Sequence, residues 1–127
     1  MKKTVQGKSI ALSADVPAKF LETILQDLKR EGIVTSKRGI FGGYALACSP
    51  TEIMTGHVIR TMDGSLAPIA CASITKYEKC ADCMHEEDCI IRHMMIEVRN
   101  VIAGALDGRS IADMMKLSTR QKEQIFW

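Results

Sequence analysis

Residues 16–46, VPAKFLETILQDLKREGIVTSKRGIFGGYAL, constrain the fold more than any other stretch of the chain. Leu21, Ile24, Leu25 and Leu28 recur at helical spacing and share one face. Pro17 suits the first turn of that helix, where a missing N–H costs nothing. Lys29 and Arg30 suit its negative C-terminal end, and Gly32 suits the residue just past it. Ahead of it, SIALSAD predicts a short helix around Ile10 to Ala14, and the tight Asp-Val-Pro junction makes the pair part of a helix-turn-helix. Behind it, Ile33-Val34-Thr35 and Tyr44-Ala45-Leu46 favour strands, with Gly39, Gly42 and Gly43 between them. This is a β-hairpin with Lys37 and Arg38 at the edge of its tip. A helix pair followed by a basic hairpin is the layout of a winged helix.

The next stretch, SPTEIMTGHVIRTMDG, predicts another helix. Ser49 with Glu52 forms a candidate capping box with Pro50 at the first position, Thr55 is a competing N-cap, and Asp63-Gly64 ends the helix. From residue 88 onward, Ile91, Met94, Met95, Val98, Ile102 and Ala105 recur at helical spacing over about five turns. A stripe of that length pairs with a copy of itself or packs on its own core; homodimerisation through residues 88–106 is the expectation. Ser110 with Asp113 caps a final short helix, SIADMMK. The tail STRQKEQIFW reads as loosely ordered, with Trp127 as a docking residue. The expected fold class is mainly α with a small β-hairpin wing (α+β): a winged helix-turn-helix plus a long dimerisation helix. Its parts are a DNA-binding region at 1–64, a cysteine-rich loop at 65–90, the long helix and final helix at 88–117, and a tail at 118–127, all within one structural domain.

The 127 residues suffice for one compact domain. Aromatics make up only 5%, so aliphatic residues and eight Met must do most of the packing. No stretch approaches the length of a membrane span, and MKKTVQGKSIALSADV lacks the apolar run of a secretory signal, which implies a cytoplasmic protein. Residues 1–47 carry eight Lys/Arg against four Asp/Glu, whereas residues 48–127 carry nine against eleven. A basic front half suits a polyanion such as nucleic acid, although on charge alone solubility is the simpler explanation.

Four of the five cysteines fall within CASITKYEKCADCMHEEDC, residues 71–89, as C-x8-C-x2-C-x5-C. In a reducing compartment such clusters bind metal or sense redox more often than they form structural disulfides. Cys71, Cys80, Cys83 and Cys89 complete an all-thiolate set for an iron–sulfur cluster, two-iron or four-iron, or for zinc. Five acidic residues against two lysines in this loop argue against its touching DNA. Cys48 stands apart and reads as a buried small hydrophobe. His85 and His93 lie nearby as bystanders rather than first-choice ligands. The chain has no nucleophile–base motif, no phosphate-cradling glycine loop leading into a helix and no H-E-x-x-H, so nothing points to an enzyme.

From about Ile10 to Met115 the chain resembles the Rrf-two family of bacterial winged-helix regulators, the type of IscR, NsrR and CymR. The most specific match is the wing, S-K-R-G-x-x-G-G-Y-x-L at Ser36 to Leu46; DGSLAPIAC and SIADMM also match. The resemblance implies a symmetric dimer on a palindromic operator in double-stranded DNA, with no membrane partner. By the same resemblance, Ala18, Lys19, Glu22 and Thr23 at the start of the recognition helix contact DNA, with Glu22 accepting from a cytosine amino group in the major groove and Lys19 meeting phosphate, and Arg38, with Lys37 beside it, enters the minor groove. Cluster-binding members use three cysteines that match Cys71, Cys83 and Cys89; the position of a His ligand in some members is Arg92 here, and Cys80 is an additional thiol. Members also begin with a long first helix, of which MKKTVQGKS offers at most a stub. The expected function is a DNA-binding regulator that senses iron–sulfur or redox status. The alternatives are a structural zinc protein and a metal-free interaction protein that no longer binds DNA well.

Overall fold

The computed structural model describes residues 3–121, so the reading of Trp127 lies outside the described residues. The chain divides into two compact units, with the boundary between Ile53 and Met54.

The first unit holds two helices and a hairpin. Helix α1, Gly7–Ala14, begins three residues earlier than its sequence pattern suggests. It ends on Asp15, whose left-handed backbone (φ 53°) is tolerated by Asp better than by most residues. The Asp15 and Val16 N–H groups donate to Leu12 and Ala11 carbonyls, which closes the helix and turns the chain into Pro17. Helix α2 spans Ala18–Arg30 and buries Leu21 and Leu25, as the apolar spacing requires. Its end is a Schellman motif: Gly32 takes φ 73°, Gly32 N–H donates to Lys29 O at 3.0 Å, and Ile33 N–H donates to Leu28 O at 2.9 Å. Ala11, Leu21 and Leu25 form the core of the unit, with Ile10, Val16 and Tyr44 packed against it.

Strands β1 (Val34–Lys37) and β2 (Gly43–Leu46) pair antiparallel, Val34 opposite Leu46 and Lys37 opposite Gly43. The N-terminal segment adds a bridge to the other edge of β2, where Val5 and Tyr44 exchange both backbone hydrogen bonds at 2.8 Å. Gly43 permits this approach, because a Cβ there would lie 2.4 Å from the Val5 carbonyl oxygen. Ser49 does not cap a helix. Its hydroxyl pairs with the Thr51 hydroxyl at 2.8 Å and its carbonyl accepts from Glu52 N–H, which makes a turn.

The second unit starts with α3, Thr55–Asp63. Thr55 is its first residue rather than its cap, and no side chain caps it. The Thr55 N–H donates instead to Arg109 O at 2.8 Å, and Met54 bridges Ser110. The start of α3 is therefore set by a distant segment. Helix α4 spans Ile90–Asp107 and α5 spans Ile111–Gln121. The Ser110–Asp113 capping box forms as expected: Ser110 N–H donates to Asp113 Oδ2 at 2.9 Å, and Asp113 N–H donates to Ser110 Oγ at 3.2 Å. Helix α5 continues past Lys116 and takes in residues 118–121, which the sequence pattern assigned to a loose tail; Arg and Gln are good helix formers. The chain between α3 and α4 is irregular apart from two short 3₁₀ turns, Ala70–Ala72 and Glu86–Asp88. Arg60 on α3 grips Asp107 on α4 through two parallel 2.7 Å bonds. Among the described residues, no helix is long and apolar enough to cross a membrane.

Candidate functional site

Ala18 and Lys19 open α2, and Glu22 and Thr23 follow one turn later. Lys37 ends β1, and Arg38 begins the hairpin tip. All six residues are exposed and belong to the first unit. Among the described residues, none of the six side chains is engaged in a hydrogen bond or ion pair with protein. The tip between the strands is a defined turn: Gly42 N–H donates to Gly39 O at 2.9 Å, and the Thr4 hydroxyl donates to Phe41 O at 2.9 Å. Gly39 takes φ 108°, and a Cβ on Gly42 would lie 2.3 Å from Lys37 O, so both glycines are needed for this shape.

The cysteine loop belongs to the second unit. Cys71 sits in the first 3₁₀ turn, and Cys80 and Cys83 are joined by a turn in which Cys83 N–H donates to Cys80 O at 3.1 Å. Cys89 caps α4: its Sγ accepts from Arg92 N–H at 3.4 Å. All four line one cavity of about 400 Å³, together with Ile69, Met84, Ile91, Asp82, His85, Glu86 and Arg92. Their thiols are free, and Cys80 is exposed while the other three are half-buried. Among the described residues, no three His, Cys, Asp or Glu side chains converge closely enough to hold a metal ion. The structure thus gathers the four thiols around one cavity without drawing them to a single point. By donor chemistry the set suits a thiolate-held group.

The surroundings of these thiols were only partly visible in the sequence. Arg92, read there as the replacement for a ligand, donates its Nε–H to the Cys71 carbonyl at 3.0 Å. Arg99, two turns further along α4, donates Nη1–H to the Ala72 carbonyl at 2.6 Å. Two arginines seven residues apart on one helix share a face, and that spacing was the available signal. Tyr77 donates to Glu86 Oε1, which ties two interior points of the loop together and holds the phenol above its ordinary range. His93 Nε2 lies 2.7 Å from the Glu87 carbonyl, so that ring nitrogen is taken. His85 lines the cavity. Cys48 is half-buried, less so than expected, and lies in the other unit.

Residues 1–117 match the model of a family described as Rrf2, iron-dependent transcriptional regulator. The chain belongs to the Rrf2 family. Among Rrf2 relatives, an rrf2-like protein of Rhodobacter capsulatus is 37% identical over 108 residues, which cover 85% of this chain and 72% of that protein. The Rrf2 fold is seen in the structure of CymR, the global cysteine regulator of B. subtilis, with a TM-score of 0.70 and 28% identity over 90% of this chain and 79% of that one. The IscR of T. potens matches with a TM-score of 0.66 and 28% identity, covering 91% of this chain and 71% of that one. These winged-helix structures share the helices and two-stranded hairpin described above. The Rrf2 relatives are transcriptional regulators, not enzymes.

Proposed function

We propose that this Rrf2 chain is a homodimeric regulator that reads a palindromic DNA operator and responds to iron–sulfur or redox status through its cysteine loop. The observation that carries the DNA reading is the set of six exposed, unengaged side chains in one compact unit. Lys19 and Lys37 meet phosphates, Glu22 accepts from a cytosine amino group in the major groove, Thr23 and Ala18 contact base edges, and Arg38 enters the minor groove.

The dimer reading rests on α4. Ile91, Met94, Val98 and Val101 are all exposed and follow the alternating three- and four-residue spacing of a helix-pairing seam. Met95 and Ile102, part of the same apolar stripe in the sequence, are half-buried within their own unit. Sedimentation should show a dimer for the native chain and a monomer for Val98→Lys; a native monomer would end this reading.

For sensing, Cys71, Cys80, Cys83 and Cys89 would hold an iron–sulfur cluster, which when bound supplies a redox- and iron-labile link between the loop and α4. Cys89 fixes the site to the helix start, Arg92 and Arg99 fix the Cys71 segment to the same helix, and the loop through Cys80 and Cys83 closes over the cavity. An anaerobic visible spectrum with iron, sulfide and zinc analysis tests this. Iron and sulfide with visible absorption, lost in Cys83→Ala/Cys89→Ala, support the cluster. A colourless zinc protein would favour a structural metal, and a metal-free one an interaction role or direct thiol chemistry.

A further inference from the structure

The wing carries more than charge. Ile40 and Phe41 stand side by side at its tip, 88% and 85% exposed. A single exposed apolar residue is ordinary. Here two large ones are adjacent on a turn whose backbone is fixed by the Gly42-to-Gly39 and Thr4-to-Phe41 hydrogen bonds. The tip holds these side chains out in water, with Lys37 and Arg38 just before them across Gly39. No acidic residue occurs between Glu31 and Glu52, so nothing on the hairpin repels a polyanion.

We infer that Ile40 and Phe41 form an apolar wedge that enters the minor groove of duplex DNA beside Arg38 and partly unstacks one base step. The inference rests on the DNA-binding reading above and adds a second kind of recognition to it. Cations on one side of an apolar tip match what the minor groove offers: phosphates at its walls and the edges of stacked bases at its floor. Binding then depends on how easily the step under the wing deforms, which favours a pyrimidine–purine step there over an A-tract. Charge and wedge are separable. Lys37 and Arg38 govern the salt dependence of binding, whereas Ile40 and Phe41 govern distortion of the duplex.

The test uses the full chain and duplexes recovered by repeated selection from a random-sequence pool. Aminopurine replaces adenine at successive positions, and end-to-end energy transfer reports bending. The native chain should raise fluorescence at one step beneath each wing and shorten the end-to-end distance. Phe41→Ala should abolish both signals and weaken binding about tenfold with an unchanged salt slope. Phe41→Leu should retain the signals. Arg38→Ala should lower the salt slope by about one and leave the fluorescence rise in place. Because both apolar side chains are exposed, these variants should keep the native urea midpoint. If Phe41→Ala and Ile40→Ala/Phe41→Ala bind and distort DNA as the native chain does, the wedge is wrong and the DNA reading stands. If the native chain enriches no duplex even at low salt, the DNA reading fails first and the wedge fails with it.

Discussion

The side chain of Arg92 reaches the backbone of Cys71, Nε to carbonyl oxygen at 3.0 Å, while its own N–H donates to Cys89 Sγ. One residue therefore touches the two cysteine positions furthest apart in the loop. Arg99 repeats the contact one residue further on, to Ala72. Ala72 is only 1% exposed, so its carbonyl has no water to fall back on.

The two arginines should differ in worth. Arg99→Ala leaves a buried acceptor unpaired and should cost about 2 kcal/mol, whereas Arg92→Ala should cost about 1 kcal/mol. Urea unfolding of the two variants checks the order. Hydrogen exchange at Ala72 and Ser73 should quicken in both.

Gly56 lies beneath the Arg60–Asp107 fork, where a Cβ would lie 1.9 Å from Asp107 Oδ1, so a larger residue must displace that side chain. Gly56→Ala should push the carboxylate off Arg60. The fork is partly exposed, so its loss should cost about 1 kcal/mol after solvent screening. A double-mutant cycle gives the sharper check: once Gly56→Ala is present, Asp107→Asn should cost little more.

Acid should weaken the second unit through two aspartates. The Arg60 hydrogen bond holds Asp107 below its ordinary range, and the backbone and side-chain hydrogen bonds of Ser110 do the same for Asp113. A folded-state pKa lower than the unfolded one means stability is fully present above the unfolded value, about 3.9, and is lost as pH falls through the folded value. Urea midpoints measured from neutral pH downward should therefore decline in the native chain below about pH 4. Asp107→Asn and Asp113→Asn should each flatten that decline.

Gly43→Ala should detach the N-terminal segment from the hairpin. The residue takes φ 150° and its new Cβ would lie against the Val5 carbonyl. A loss of about 2 kcal/mol is expected, together with faster exchange of the Val5 and Tyr44 amides. Gly39→Ala, where a Cβ meets nothing within 4 Å, should cost only the strain of its positive φ and spare the Val5 bridge.

Local signals carried most of the fold. Helix α2 could be read because spacing, charge and Gly32 all agree over one short stretch. The Ser110–Asp113 box could be read for the same reason, and nothing distant competes with it. The Ser49–Glu52 box looked equally good and does not form. Thr51 takes the Ser49 hydroxyl, and pairing of Met54 with Ser110 decides where α3 begins. No window of local sequence contains that pairing. The site divides in the same way. The cysteine spacing pointed to a thiolate ligand set, and the four cysteines line one cavity, but the hold of Arg92 and Arg99 on the Cys71 segment joins residues 21 and 27 positions apart. The exposed apolar row on α4 was half visible: Ile91, Met94 and Val98 were in the stripe, and Val101 was missed because helical spacing alone does not separate the face turned inward from the face left open.

Cys89 has two appointments at once. Its sulfur is a candidate ligand, and it is also the acceptor that closes the first turn of an 18-residue helix. Alkylation or oxidation at that atom should weaken the hydrogen bond that steadies the helix start, whereas a ligating thiolate keeps lone pairs to accept it. A method blind to metals and thiols alike, far-ultraviolet circular dichroism, therefore becomes a gauge of this sulfur's chemical state. Fraying of α4 after covalent change at Cys89 would be the mechanical record of what has happened to one atom.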